Sequence, residues 1–123
     1  MILADTSIWV DYIDRGDAVM AALIEAGGVL LHPYVLGEIA LGNLNPRAPI
    51  IADLRTLPMV PVATPNELLA FVDRHALFGT GIGYVDAHLL ASVMLMPGAQ
   101  LWTRDQRLLA AAERLGVAAK PVN

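Results

Sequence analysis

Met1-Ile2-Leu3-Ala4-Asp5-Thr6-Ser7-Ile8-Trp9-Val10 is the stretch on which the reading of the fold turns. A short apolar run stops at Asp5-Thr6-Ser7, residue types whose side chains accept hydrogen bonds from the free N–H groups at a helix start, and apolar residues then resume. This predicts a buried strand running directly into a helix, with an acid at the junction.

The alternation continues outward from there. Asp17 to Ala26 has apolar residues at helical spacing (Val19, Ala22, Leu23, Ala26), and Gly27-Gly28 ends it before a second apolar run, Val29-Leu30-Leu31. Pro33 suits a first helical turn, and Tyr34 to Leu41 carries an apolar face, with Glu38 in it, until Gly42-Asn43. Asn45-Pro46 to Thr56 reads as a helix and Met59-Val60-Pro61-Val62 as a short strand. Thr64-Pro65-Asn66-Glu67 reads as a capping box opening a helix to His75. The loop Gly79-Thr80-Gly81-Ile82-Gly83 leads into a strongly apolar helix, Tyr84 to Met96, stopped by Pro97-Gly98. Gln100-Leu101-Trp102 predicts a strand, Thr103 with Gln106 a second capping box, Gln106 to Leu115 a helix, and Val117-Ala118-Ala119 an edge strand.

Strands alternating with helices of this length predict parallel βαβ units with right-handed crossovers, hence an α/β fold built as an open α/β/α sandwich. With 123 residues, no repeat and no low-complexity linker, a single domain over 1–123 is expected. Ligands of such sheets bind at the carboxyl ends of the strands, near the point where strand order reverses. Asp5 and Asp105 both fall there.

Composition narrows the function. The apolar share of 56% exceeds the roughly 45–50% usual for soluble domains, which predicts apolar surface facing a partner. The apolar run Val85 to Met96 is too short for a membrane span and carries Asp86 and His88. The N-terminus lacks the basic start and long apolar core of a signal peptide, so a cytoplasmic protein without membrane attachment is expected. No cysteine is present, which excludes disulfides and thiolate metal sites. Net charge is −4, with seven of the eight basic residues Arg, so no global positive field draws in a polyanion. Bound divalent cations would supply that charge locally.

The acids carry the chemistry. Asp5, Asp86 and Asp105 each have a structural explanation as a cap or first-turn carboxylate favoured by the helix dipole. Glu38 is harder to dismiss, because Val35, Leu36, Ile39, Ala40 and Leu41 leave its helix only a narrow polar side. Two acids at strand ends and two on neighbouring helices converge on one sheet edge in this fold, where their charges repel unless some are protonated or a hard cation sits among them. Mg²⁺ or Mn²⁺ is the expected occupant, and such a site suits phosphodiester hydrolysis without a Ser or Cys nucleophile. Ser7 and Thr103 are either helix caps or groups that orient metal-bound water. His88 is expected to pack or to face a partner, and His32 to cap a strand or contact a substrate. Trp9, Tyr84 and Trp102 are candidate base-stacking groups, with core packing the simpler role for the two tryptophans.

The segments Leu3-Ala4-Asp5-Thr6-Ser7-Ile8-Trp9, Gly37-Glu38-Ile39, Tyr84-Val85-Asp86-Ala87-His88-Leu89-Leu90-Ala91 and Leu101-Trp102-Thr103-Arg104-Asp105, in this order, resemble the PIN-domain family and, within it, the VapC toxins of type II toxin–antitoxin pairs. The likeness runs nearly end to end. It implies a PIN-like three-layer α/β/α sandwich with a central, mostly parallel sheet. It also implies a Mg²⁺- or Mn²⁺-dependent endoribonuclease with Asp5, Glu38, Asp86 and Asp105 as catalytic acids and metal ligands, Asp5 and Asp86 foremost. A homodimer, RNA as substrate and a small VapB-like antitoxin covering the groove are implied as well. Thr103 matches the usual small hydroxyl residue before the last acid, and Arg104, Arg107 and Arg47 are expected RNA contacts, with Arg74 and His75 as further candidates. The chain departs from many relatives in having a single Lys.

Three other functions compete. A haloacid-dehalogenase-like phosphatase would use Asp5 as a covalent nucleophile, but Ser7 stands where its second Asp belongs. A PIN-like module without catalysis would suit the apolar excess, though all four acids are present. A PIN nuclease that matures RNA, rather than a toxin, fits the same residues.

Overall fold

β1 (Ile2–Ala4) is the middle strand of a parallel sheet, flanked by β2 (Val29–Leu30) and β3 (Gln100–Trp102), in the computed structural model, which describes residues 1–121. Ile2 pairs with Val29 and Gln100, Leu3 with Leu30 and Leu101, and Ala4 with Trp102. Leu3, Ala4 and Leu101 are fully buried, as expected of a parallel sheet covered on both faces.

The helices are α1 (Thr6–Arg15), α2 (Ala18–Glu25), α3 (Pro33–Ala40), α4 (Arg47–Leu54), α5 (Pro65–Arg74), α6 (Tyr84–Met94) and α7 (Gln106–Arg114). Right-handed connections set the layers. The path from β1 to β2 and on to Met59, which bridges Leu31, steps one way across the sheet and places α1 to α4 on one face. The return to β3, and then to Ala118, which bridges Leu101, steps the other way and places α6 and α7 opposite. In keeping with this, α1 packs on α3, and α5 on α6. Strand order therefore reverses beside β1, so the ends of β1 and β3 diverge into helices at one edge. Among the described residues, no helix is long and apolar enough to cross a membrane.

The core joins Trp9, Met20, Leu31, Ile39, Leu89 and Leu108, each 2% exposed or less, to the strands. The Thr64 capping box forms as expected: the Thr64 hydroxyl accepts from the Glu67 N–H and the Glu67 carboxylate from the Thr64 N–H. Three expectations need correction. The strand expected over Met59–Val62 shrinks to one bridge, because Pro61 has no N–H to continue the ladder. Val117-Ala118-Ala119 likewise makes only a bridge, with the Ala119 N–H donating to Leu101. The last helix is capped by Asp105, which accepts from the Arg107 and Leu108 N–H groups, rather than by a Thr103–Gln106 box; the Thr103 hydroxyl accepts instead from the Asp105 N–H, ahead of the helix.

Candidate active site

Asp5 sits where β1 turns into α1, 6% exposed, and the local sequence holds both of its oxygens. Oδ1 accepts from the Ile8 N–H at 3.1 Å and from the Ser7 hydroxyl at 2.8 Å. Oδ2 accepts from the Thr103 hydroxyl, which reaches across from the end of β3. Thr103 in turn accepts from the Asp105 N–H at 3.1 Å, so one buried hydroxyl ties the first acid to the fourth.

Asp105 caps α7 through Oδ1, which accepts from the N–H groups of Arg107 and Leu108 at 3.0 Å each. Asp86 lies in the first turn of α6, half-buried, with Oδ2 3.9 Å from where a side chain on Gly83 would begin. Glu38 is exposed on α3, and its Oε1 accepts from the Thr6 hydroxyl at 2.6 Å, which holds it against the start of α1. Ser7 and Thr103 thus orient a carboxylate, and Thr6 plays that part for Glu38, a role that nothing in the sequence signalled.

Burial, and then the charges of Asp105, Asp5 and Glu38, push the Asp86 carboxyl above the ordinary carboxylate range, against a smaller opposing effect from the Gly83 backbone. Asp86 therefore lies within reach of the fields of the other three acids. Among the described residues, every ion pair lies elsewhere, in Arg15–Asp11, Arg104–Asp11 and Arg104–Asp17, so no arginine neutralises the cluster. The ring is loose: among the described residues, no three His, Asp or Glu side chains are gathered tightly enough to cage an ion directly. An all-oxygen set of this spacing suits a hard cation that keeps part of its water shell and takes only one or two carboxylates directly.

The basic residues differ in their availability. Arg104 is committed: it reaches Asp11 at 2.9 Å and Asp17 at 3.4 Å, with its guanidinium 5.7 Å from the centre of the Trp102 ring. Arg47 is exposed at the start of α4, 3.5 Å from the Gly42 carbonyl. Arg74 and His75 end α5 and line a separate cavity with Phe71 and Met94. Arg107, the second residue of α7, lies across the Gly81 backbone, with Cδ and Nη1 2.9 Å from the position a Cβ would take there. Gly81 has φ +84°, a region that side chains disfavour, so glycine is needed twice over. Gly81→Ala is expected to destabilise the chain by about 1–2 kcal/mol and to displace Arg107, measured by urea denaturation; unchanged stability would show the loop to be slack.

His32 and His88 are fully buried. His32 caps α3, its Nδ1 accepting from the Tyr34 N–H at 2.9 Å, which settles it as a cap. Trp9 is 1% exposed and Trp102 8%, so both belong to the core, whereas Tyr84 is 59% exposed.

No protein-family model matches the chain. Ribonuclease VapC32 of Mycobacterium tuberculosis, in each of two strains, is 45% identical to it over 118 residues, covering 96% of this chain and 95% of the relative. Among solved structures, that of PAE2754 from Pyrobaculum aerophilum matches with a TM-score of 0.58 at 15% identity, covering 96% of this chain and 87% of that one. Identity that low speaks to the fold alone.

Proposed function

The chain belongs to the PIN-domain family, among the VapC ribonucleases, and on that premise we propose that it is a Mg²⁺-dependent endoribonuclease hydrolysing RNA phosphodiester bonds in the cytoplasm, the toxin of a type II pair with a VapB-like antitoxin. The observation that carries this reading is the unneutralised cluster around Asp86, a repulsive arrangement that a divalent cation would relieve.

Asp5 and Asp86 would hold the ion, with Glu38 and Asp105 accepting from its water shell. When bound, Mg²⁺ (or Mn²⁺) supplies Lewis acidity and a bound water of lowered pKa. The protein's own share is positional. The Ser7, Thr103 and Ile8 donors fix both oxygens of Asp5, so little reorganisation is left for the moment of reaction. Thr6 holds Glu38 at the α1 end of the ring, and the α7 amides aim Asp105. Arg107 is proposed as the phosphate contact, since its guanidinium lies on the loop that leads to Asp86 and enters no ion pair among the described residues. Arg47 would add rim charge for the flanking RNA, a part that Arg104 could share only by leaving Asp11 and Asp17.

An apolar groove of about 530 Å³ between α1, α2 and α4, lined by Trp9, Tyr12, Ile13, Ile24, Ile50 and Leu57, supports the antitoxin, whose apolar helical segment would fill it. Leu95 and Met94, 56% and 40% exposed, support a homodimer through α6. The test of the central claim is incubation of the purified chain with single-stranded RNA. Fragments are expected in Mg²⁺, intact RNA in EDTA, and fragments again once Mg²⁺ is restored. RNA left whole in Mg²⁺, or cut equally in EDTA, would overturn it.

A further inference from the structure

The loop that leads to Asp86 has a second face. Tyr84, Phe78, Ile82 and Leu69 line an apolar groove of about 300 Å³ alongside α5, together with the backbone of Gly81 and Gly83. Phe78, Leu69 and Tyr84 are 65%, 62% and 59% exposed, large apolar side chains that core packing does not account for. The Tyr84 ring is not loose, for it stands edge-on to His88, centroids 4.7 Å apart at 80°, and His88 is fully buried. No charged side chain lines the groove.

The groove and the acid cluster share one strip of backbone. Arg107 lies against Gly81, and the Asp86 carboxylate is beside Gly83.

We propose that this groove binds an unpaired nucleobase adjacent to the phosphate being cut, stacked on Tyr84 and Phe78, an inference that rests on the ribonuclease reading above. Unstacked bases are recognised by aromatic rings and by hydrogen bonds to their edges, and every base offers a π-face, so such a site tolerates sequence variation. A nucleotide holds its base one sugar away from its phosphate. Here the aromatic wall and the Arg107–Asp86 side are likewise separated by a single strip of loop, so one nucleotide can engage both. The uncharged lining leaves the phosphate to Arg107 and to the cation that the acids would hold.

The test uses the chain carrying Asp86→Asn, to prevent cleavage, titrated in Mg²⁺ with a single-stranded oligoribonucleotide containing 2-aminopurine. Stacking is expected to quench the fluorophore. Tyr84→Ala or Phe78→Ala is expected to weaken binding roughly 10- to 100-fold and to abolish the quenching, while Tyr84→Phe, which keeps the ring, retains it. Both side chains are exposed, so the alanine variants should fold, as checked by circular dichroism. RNA that binds without quenching, or an alanine variant that quenches like its parent, overturns the assignment. Alanine variants that turn a dimer into a monomer while binding RNA unchanged overturn it too, and mark the groove as a contact between copies. The ribonuclease reading is judged separately, by cleavage with the unaltered chain.

Discussion

Asp86→Asn is expected to lower RNA cleavage in Mg²⁺ by about 10³-fold, the equivalent of several kcal/mol of lost transition-state stabilisation, while making the metal-free chain harder to unfold. The two effects share a cause. Burial and the neighbouring charges of Asp105, Asp5 and Glu38 make Asp86 harder to ionise in the fold than in the unfolded chain. An acid of this kind costs nothing at low pH, where it is protonated in both states. The cost grows as pH rises past the ordinary carboxylate range, and is complete once pH exceeds the raised value. Asparagine has nearly the same shape and carries no charge. Melting in EDTA at pH 8 should therefore begin later for the variant than for the unaltered chain. Adding Mg²⁺ should raise the unaltered chain's transition, by about 2.7 kcal/mol at a hundredfold excess over Kd, and the variant's far less. Unimpaired cleavage would remove Asp86 from the chemistry. Earlier melting of the variant in EDTA would show a stabilising first-turn acid instead of a strained one.

The strand-to-helix junction at Asp5 was legible because one physical requirement, satisfying free N–H groups where a buried strand becomes a helix, leaves a local residue signature. The same holds for the Thr64 box and for the Gly-rich entry to α6. Three-layer order followed from alternation and handedness. Pairing beyond the central strands was not legible, since Pro61 and the bridge at Ala118 limit it through events at single residues. Within the site, the acids were visible as residue types, but their supports were not. Thr103 reaches Asp5 across 98 residues, and Thr6 meets Glu38 across 32. Local spacing carries no trace of such contacts. Arg104 and Arg107 look alike in sequence, three residues apart. The fold separates them: Asp11 and Asp17 take the first, and a glycine without a side chain makes room for the second.

Acid should loosen the fold through His32, and His32→Asn should remove that sensitivity. The Nδ1 atom of His32 accepts from the Tyr34 N–H, so the neutral ring carries its proton on Nε2, which is buried without a partner. A second proton would have to enter at Nδ1 and turn the cap bond into a meeting of two donors. Burial foremost, and His88 beside it with ring centroids 6.1 Å apart, hold the group down to about 4 against an ordinary 6.5. The unfolded chain binds the proton first as pH falls, so the stability tied to this ring is fully present above pH 6.5. It drains away between 6.5 and 4, by about 2–3 kcal/mol at about 1.4 kcal/mol per unit. Asparagine is a favoured N-cap whose carbonyl can accept from Tyr34, yet it does not titrate. Being smaller, it leaves a void that costs roughly 1–2 kcal/mol near neutrality. Urea melts at pH 7.5 and 4.5 should thus show the variant weaker at the first and level with, or stronger than, the unaltered chain at the second. Carboxylate titration is common to both proteins and cancels in the difference. If the gap between them stayed constant across that range, His32 would not be the group that acid attacks, and the neutral buried imidazole described here would be wrong.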